Sequence, residues 1–179
     1  PTTLGPVTLL QLADVLDAQK ARASAGEIAG VAVTGKPYFL AAGADLSKVG
    51  DIPSKEFAKK MAQLGHYALG KLGTLGVPSF VFINGLALGG GLEIALNANY
   101  RTVDRTGPGI ALPEVFLGII PGWGGAYLLP NLIGADLSGF SPYLEFNTFS
   151  GIADGEDEIR KLIRTEIKRG ADVIKLVAG

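Results

Sequence analysis

An α/β fold is predicted from three observations. Apolar, β-branched runs alternate with stretches whose apolar residues recur every three or four positions; glycine or proline punctuates each change; and glycine is in excess. The chain of 179 residues holds 26 glycines, roughly twice ordinary usage, without the three-residue period of collagen, so close backbone approaches are implied. With 47% hydrophobic and only 18% charged residues it can bury a core, and its length suits one large domain, or one plus a fragment.

The elements follow in order. Thr8 with Gln11 reads as a capping box, and Leu9, Leu12, Ala13 and Leu16 share one face of a helix that should end near Gly26. Ala29 to Thr34 is a short β-branched run closed by Gly35, which suits a strand buried on both faces. A loop should follow. Pro53 and Ser54 then open a second helix, with Phe57, Met61, Leu64, Ala68 and Leu72 as its buried stripe and Gly73 and Gly76 as its close. Val77 to Ile83 reads as a second buried strand, after which Asn84-Gly85 turns the chain toward Leu86 to Gly91. Leu92 to Ala98 is a short helix, Tyr100 to Val103 and Ile110 to Leu112 are short strands, and a helical stretch runs to Ile133 after the Gly- and Pro-rich Gly118 to Gly125. There is no internal sequence repeat.

A composition break near Ser138 divides the chain into residues 1–138 and 139–179, because charged side chains become more than twice as dense after it. Within the second part Ile159, Leu162, Ile163 and Ile167 form a helical stripe, Gly170 is a plausible stop, and Ala171 to Val177 reads as a strand.

The composition also excludes functions. A formal charge of -1 provides no broad cationic field for nucleic acid or anionic lipid, and no apolar run approaches a membrane span, so a cytoplasmic protein is expected. Zero cysteines exclude disulfides and thiolate chemistry, and the single histidine, His66, excludes sites needing two. No metal site is expected.

Chemistry concentrates in three pieces: Ala41 to Leu46, Asn84 to Glu93, and Leu112 to Gly125. Small residues let main-chain N–H groups approach a ligand oxygen, and a helix beginning near Gly91 adds its positive end to the same place. Two such donors converging on one point form an oxyanion hole. Taken singly, each piece has a plainer reading. The glycine run suits close helix–strand packing, and Glu93 and Glu114 suit first-turn carboxylates at helix starts. Two carboxylates beside two donor loops shift the balance toward a site. His66 lies off the second helix's stripe and suits a surface role; Trp123 and Tyr127 suit either a ligand pocket or core packing; Lys48, Lys55, Lys59 and Lys60 suit a solvated face.

The segments FLAAGADL (Phe39 to Leu46), INGLALGGGLEIAL (Ile83 to Leu96) and LPEVFLGIIPGWGG (Leu112 to Gly125) resemble, in order and spacing, the three signature segments of the crotonase superfamily, the enoyl-CoA hydratases and isomerases. The resemblance covers about residues 1–138 and implies a spiral of repeated β-β-α units, truncated at both ends. It implies that the N–H groups of Ala44 and Gly90 hold a thioester oxygen, that Glu93 is the water-activating base and Glu114 the acid, and that Ala42, Gly43, Asp45, Leu46, Gly89 and Trp123 contact substrate, with Ala42 near the CoA adenine. Coenzyme A enters as part of the substrate, with no separate cofactor. Family isomerases commonly keep only the second carboxylate, so the pair favours hydration of 2-enoyl-CoA in β-oxidation. A homo-oligomer, trimer or hexamer, or a place in a multifunctional β-oxidation enzyme is implied. An acyl-CoA-binding or assembly subunit and an enoyl-CoA isomerase remain the alternatives. Gly151 to Gly179 resembles one helix–strand unit of the metal-dependent amidohydrolase superfamily, with Lys175 at the position of a carboxylatable lysine, but the His-x-His element of that superfamily's metal site has no counterpart here.

Overall fold

The computed structural model describes residues 3–45, 54–104 and 109–133. By its internal contacts the chain divides into two compact units, Pro1–Ala126 and Tyr127–Gly179. The expected elements between 151 and 179, Lys48, and the composition break at Ser138 lie outside the described residues.

The first helix, α1 (Pro6–Ser24), begins two residues before Thr8. Its cap is Gly5, which offers no side-chain bond, so the capping box does not form; Pro6, whose missing N–H costs nothing in the first turn, starts the helix instead. Leu9, Ala13 and Leu16 are its buried face, and Gly26 follows its end at φ 73°. Two strands come next, β1 (Val31–Thr34) and β2 (Tyr38–Ala41), the second where a loop is expected from sequence. Ser54 caps α2 (Lys55–Gly70) by accepting a hydrogen bond from the Phe57 N–H at 3.1 Å. The buried face of α2 lies nearer its C-terminus than expected, at Gly65, Ala68 and Leu69, and continues through Leu72 in a 3₁₀ turn, Lys71–Thr74; Phe57 is exposed. Lys71 reaches back to Asp17 on α1 at 2.6 Å.

Then β3 (Ser79–Ile83) and β4 (Gly85–Leu88) run almost without interruption. Asn84 does not turn the chain back. It moves the backbone from one sheet to another, its side chain accepting from the Gly35 N–H and donating to the carbonyls of Gly35 and Lys36. The helix α3 (Gly90–Asn97) follows, two residues earlier than the periodicity suggests, and then β5 (Tyr100–Val103) and β6 (Ile110–Ala111). A 3₁₀ turn, Pro113–Leu117, and α4 (Gly125–Ile133), with Pro130 inside it, complete the described chain.

Two parallel sheets result, ordered β1-β3-β5 and β2-β4-β6. Each successive strand pair therefore adds one strand to each sheet, so the β-β-α repeat that the sequence hides is present in the backbone. The repeat is invisible locally because the first strands of its turns begin at Val31, Ser79 and Tyr100, with unequal intervals between. Neither strand is buried on both faces, contrary to expectation: β1 is half-buried at Val31 and Val33 with Ala32 and Thr34 exposed, and β3 is buried at Ser79, Val81 and Ile83 with Phe82 exposed on its other face, where Phe80 stacks on Tyr100 at 5.2 Å. Among the described elements α3 is the one buried all round, every residue from Gly90 to Leu96 being buried, in keeping with a sequence that is apolar apart from Glu93 and Asn97. Arg101 closes its far end, donating to the carbonyls of Ala95, Ala98 and Asn99. The one charged residue inside α3 is Glu93.

Candidate active site

Three consecutive glycines open α3, and each omits a Cβ for a different reason. At Gly89 the backbone sits at φ 50°, ψ -123°, unfavourable for any side chain, and a Cβ would stand 2.8 Å from Glu114 Oε1. At Gly90 a Cβ would overlap the benzo edge of Trp123, and at Gly91 it would overlap the Ala41 carbonyl on β2. The close packing suggested by the run is therefore real, and it packs the helix start against residues expected to do chemistry.

The Ala42–Ala44 loop closes on this start. Gly43, at φ 93°, has no room for a side chain, since a Cβ would lie 2.7 Å from the Leu88 carbonyl oxygen and 3.5 Å from the Gly90 nitrogen. A parallel bridge pairs Ala44 with Leu4, using the Gly43 carbonyl and the Asp45 N–H and leaving the Ala44 N–H out of it. At α3, the Gly89 N–H donates to the Ala111 carbonyl and the Glu93 N–H closes the first turn on Gly89. The N–H groups of Gly90, Gly91 and Leu92 thus precede the first intrahelical bond, where a helix presents free donors and its positive end.

Ala42, Gly43, Ala44, Gly89, Gly90, Glu93, Glu114 and Trp123 all line one cavity of about 200 Å³, with Pro113, Leu117, Ile119 and Ile120 as apolar wall. The structure thus brings together eight of the sequence-predicted site residues. Asp45 is half-buried beside them in the chain; Leu46 lies outside the described residues. Tyr127, for which the sequence suggests either pocket lining or core packing, is exposed and belongs to the other unit. Lys55, Lys59 and Lys60 are exposed on α2. Among the described residues no cluster of His, Asp or Glu could hold a metal ion, and no helix is long and apolar enough to cross a membrane.

The two carboxylates differ in their support. Glu93 is 1% exposed, and its Oε1 accepts from the Trp123 and Gly125 N–H groups, each at 2.8 Å. Burial pushes its pKa up; these two donors and the electrostatic influence of His66 oppose that rise. Glu114 is 8% exposed, and its Oε2 has no hydrogen-bond partner. Its pKa is also raised, chiefly by burial and further by the Glu93 charge, against the pull of its own backbone N–H. A buried carboxylate with a bare oxygen favours the protonated form; one with two amide donors tolerates ionisation.

Two residues escaped the sequence reading. Gly125 supplies a donor to Glu93, and a Cβ there would stand 3.0 Å from Glu93 Oε1; Gly65 of α2 lets the Trp123 ring approach, since a Cβ would overlap it. Both lie in stretches whose small residues were visible, but their partners are 32 and 58 positions away.

Comparison with known proteins shows the family of the chain. Residues 4–139 match a family model described as enoyl-CoA hydratase/isomerase. A Pseudomonas syringae pv. tomato protein described as fatty acid oxidation complex subunit alpha is 42% identical over 134 residues, 73% of this chain but 18% of that protein, so the chain spans under a fifth of that relative. Among solved structures, DspI of Pseudomonas aeruginosa superimposes with a TM-score of 0.71 at 27% identity, covering 95% of this chain and 72% of that one. An enoyl-CoA hydratase from Bacillus anthracis does so with 0.66 at 30% identity, covering 74% and 50%.

Proposed function

Because the chain belongs to the enoyl-CoA hydratase/isomerase family, we propose that it carries the site for adding water across the C2=C3 bond of a 2-enoyl-CoA thioester. The observation that supports this most is the presence of both Glu93 and Glu114 on the cavity that Ala44 and Gly90 also line. In this reading the N–H groups of Ala44 and Gly90 hold the thioester oxygen, draw electron density from C3, and stabilise the enolate that forms on attack. Glu93, kept ionisable by the Trp123 and Gly125 amides, takes a proton from water as its oxygen bonds to C3. Glu114, held protonated by burial and by the charge on Glu93, delivers its proton to C2. The double bond is consumed, the enolate collapses to the 3-hydroxyacyl thioester, and a proton passing from Glu93 to Glu114 resets the pair.

The substrate is the acyl-CoA itself, with coenzyme A as its carrier and no further cofactor. Ala42, Gly43 and Gly89 line its path, Trp123 walls the acyl side, and the family resemblance adds Asp45 and Leu46 as substrate contacts. The setting in this reading is the cytoplasm and β-oxidation, with the chain as the hydratase portion of a larger protein or a homo-oligomer, trimer or hexamer. Support comes from the relatives described as alpha subunits of fatty acid oxidation complexes.

The test follows the ultraviolet absorbance of a conjugated enoyl-CoA. The wild-type chain should consume it and yield the 3-hydroxyacyl thioester, and Glu93→Gln and Glu114→Gln should each nearly stop it. Tight acyl-CoA binding by calorimetry with no hydration would instead establish a binding subunit, and double-bond migration without hydration an isomerase.

A further inference from the structure

Trp123 joins three parts of the molecule. Its N–H donates to Glu93 Oε1 at 2.8 Å, its indole Nε1 donates to the Met61 carbonyl of α2 at 3.3 Å, and its ring lines the cavity. The ring is a strut between two bare backbones. A Cβ on Gly65 would overlap its pyrrole edge at Cδ1 and Nε1, and one on Gly90 would overlap its benzo edge at Cζ3 and Cε3. The Asn97 side chain, one turn beyond Glu93, fixes the same residue from below by donating to the Trp123 carbonyl at 3.2 Å. The indole therefore has one seat, and α2 forms half of it.

We propose that Gly65, remote in sequence from every signature segment, is a positioning residue for the hydration: its missing side chain seats the Trp123 indole against α2, and that seat aligns the Trp123 N–H with Glu93. The inference rests on Glu93 being the base of the proposed reaction. A methyl group on Gly65 forces the indole off α2 and carries the Trp123 backbone with it. Glu93 then keeps its burial but loses part of the hydrogen bonding that offsets it. The charged and titratable groups facing Glu93 are Glu114 from the Pro113–Leu117 turn, which disfavours ionisation, and His66, the residue after Gly65 on α2, which favours it. Displacing α2 from the site weakens the second of these as well, so both changes act in one direction. Gly70, on the same helix, has nothing within 4 Å of where a Cβ would stand and so controls for the general effect of placing alanine in α2.

The experiment is a carboxyl ¹³C NMR titration of the chain labelled at glutamate, with the Glu93 signal assigned by its loss in Glu93→Gln. Gly65→Ala should raise the Glu93 midpoint by about half a unit or more, Gly70→Ala should leave it in place, and hydration by Gly65→Ala should lose kcat about tenfold with KM within about twofold. An unchanged Glu93 midpoint in folded Gly65→Ala overturns the proposal, as does an equal shift in Gly70→Ala. If Gly65→Ala does not fold, Trp123→Phe decides the matter. That variant keeps the backbone N–H but removes the bond to Met61, and an unshifted midpoint there refutes the seat. The titration reads the seat without turnover, so a wild-type chain inert toward enoyl-CoA would sink the hydratase reading separately.

Discussion

Glu93 and Glu114 reach one cavity from unlike pieces of backbone, and the contrast shows how a fold gives two chemically identical side chains different surroundings. Glu93 projects from a helix buried all round, and two amides of the Trp123–Gly125 stretch converge on one of its oxygens. Glu114 sits in a short 3₁₀ turn with an oxygen that no donor reaches, and its space exists because Gly89 has no side chain. Burial raises both pKa values. What separates them is the count of donors, a property of backbone path and not of residue type.

The largest way to break the comparison is to neutralise either member. Glu93→Gln and Glu114→Gln should each lower kcat by about 10²–10⁴-fold in the hydration assay, the usual share of general acid–base catalysis. Removing a donor loop should rank next. Ala44→Pro deletes an N–H that the bridge to Leu4 does not use, and kcat should fall about 10²–10³-fold while both carboxylates stay in place.

Acidity sharpens the comparison further. The profile of kcat/KM against pH should be bell-shaped, falling on the acid side as Glu93 gains a proton and on the alkaline side as Glu114 loses one. Glu114→Gln should abolish the alkaline limb. The smallest effect concerns stability. A carboxyl whose pKa is raised by folding contributes stability that is complete below its unfolded value and lost as pH rises through its folded value. Glu114→Gln should therefore gain about 0.5–2 kcal/mol over wild type at neutral pH, read as a higher Tm, and the gain should vanish below the ordinary carboxyl range.

Helices were legible wherever local rules decide them: the Ser54 cap and the apolar run of α3 are read directly from their residues. Their exact starts were less so, because Pro6 and the glycines compete with polar and apolar cues nearby. The strands β2 and β4 escaped because four-residue pieces such as YFLA and GLAL carry little signal alone. They form by pairing with each other, Tyr38 opposite Gly85, at a separation that no local pattern encodes. The site shows the same division. Its small-residue segments and two glutamates stand out in the sequence. The Gly125 donor and the Gly65 seat depend on contacts that only the folded chain creates.

The division between the carboxylates is tested most directly by resolving their ionisation in one experiment, a carboxyl ¹³C titration with both signals assigned through Glu93→Gln and Glu114→Gln. The pair should lose its first proton mainly from Glu93 and its second mainly from Glu114, both above the ordinary glutamate value and separated by an interval in which one is charged and the other is not. Simultaneous ionisation at ordinary values, or Glu114 ionising first, would contradict the account.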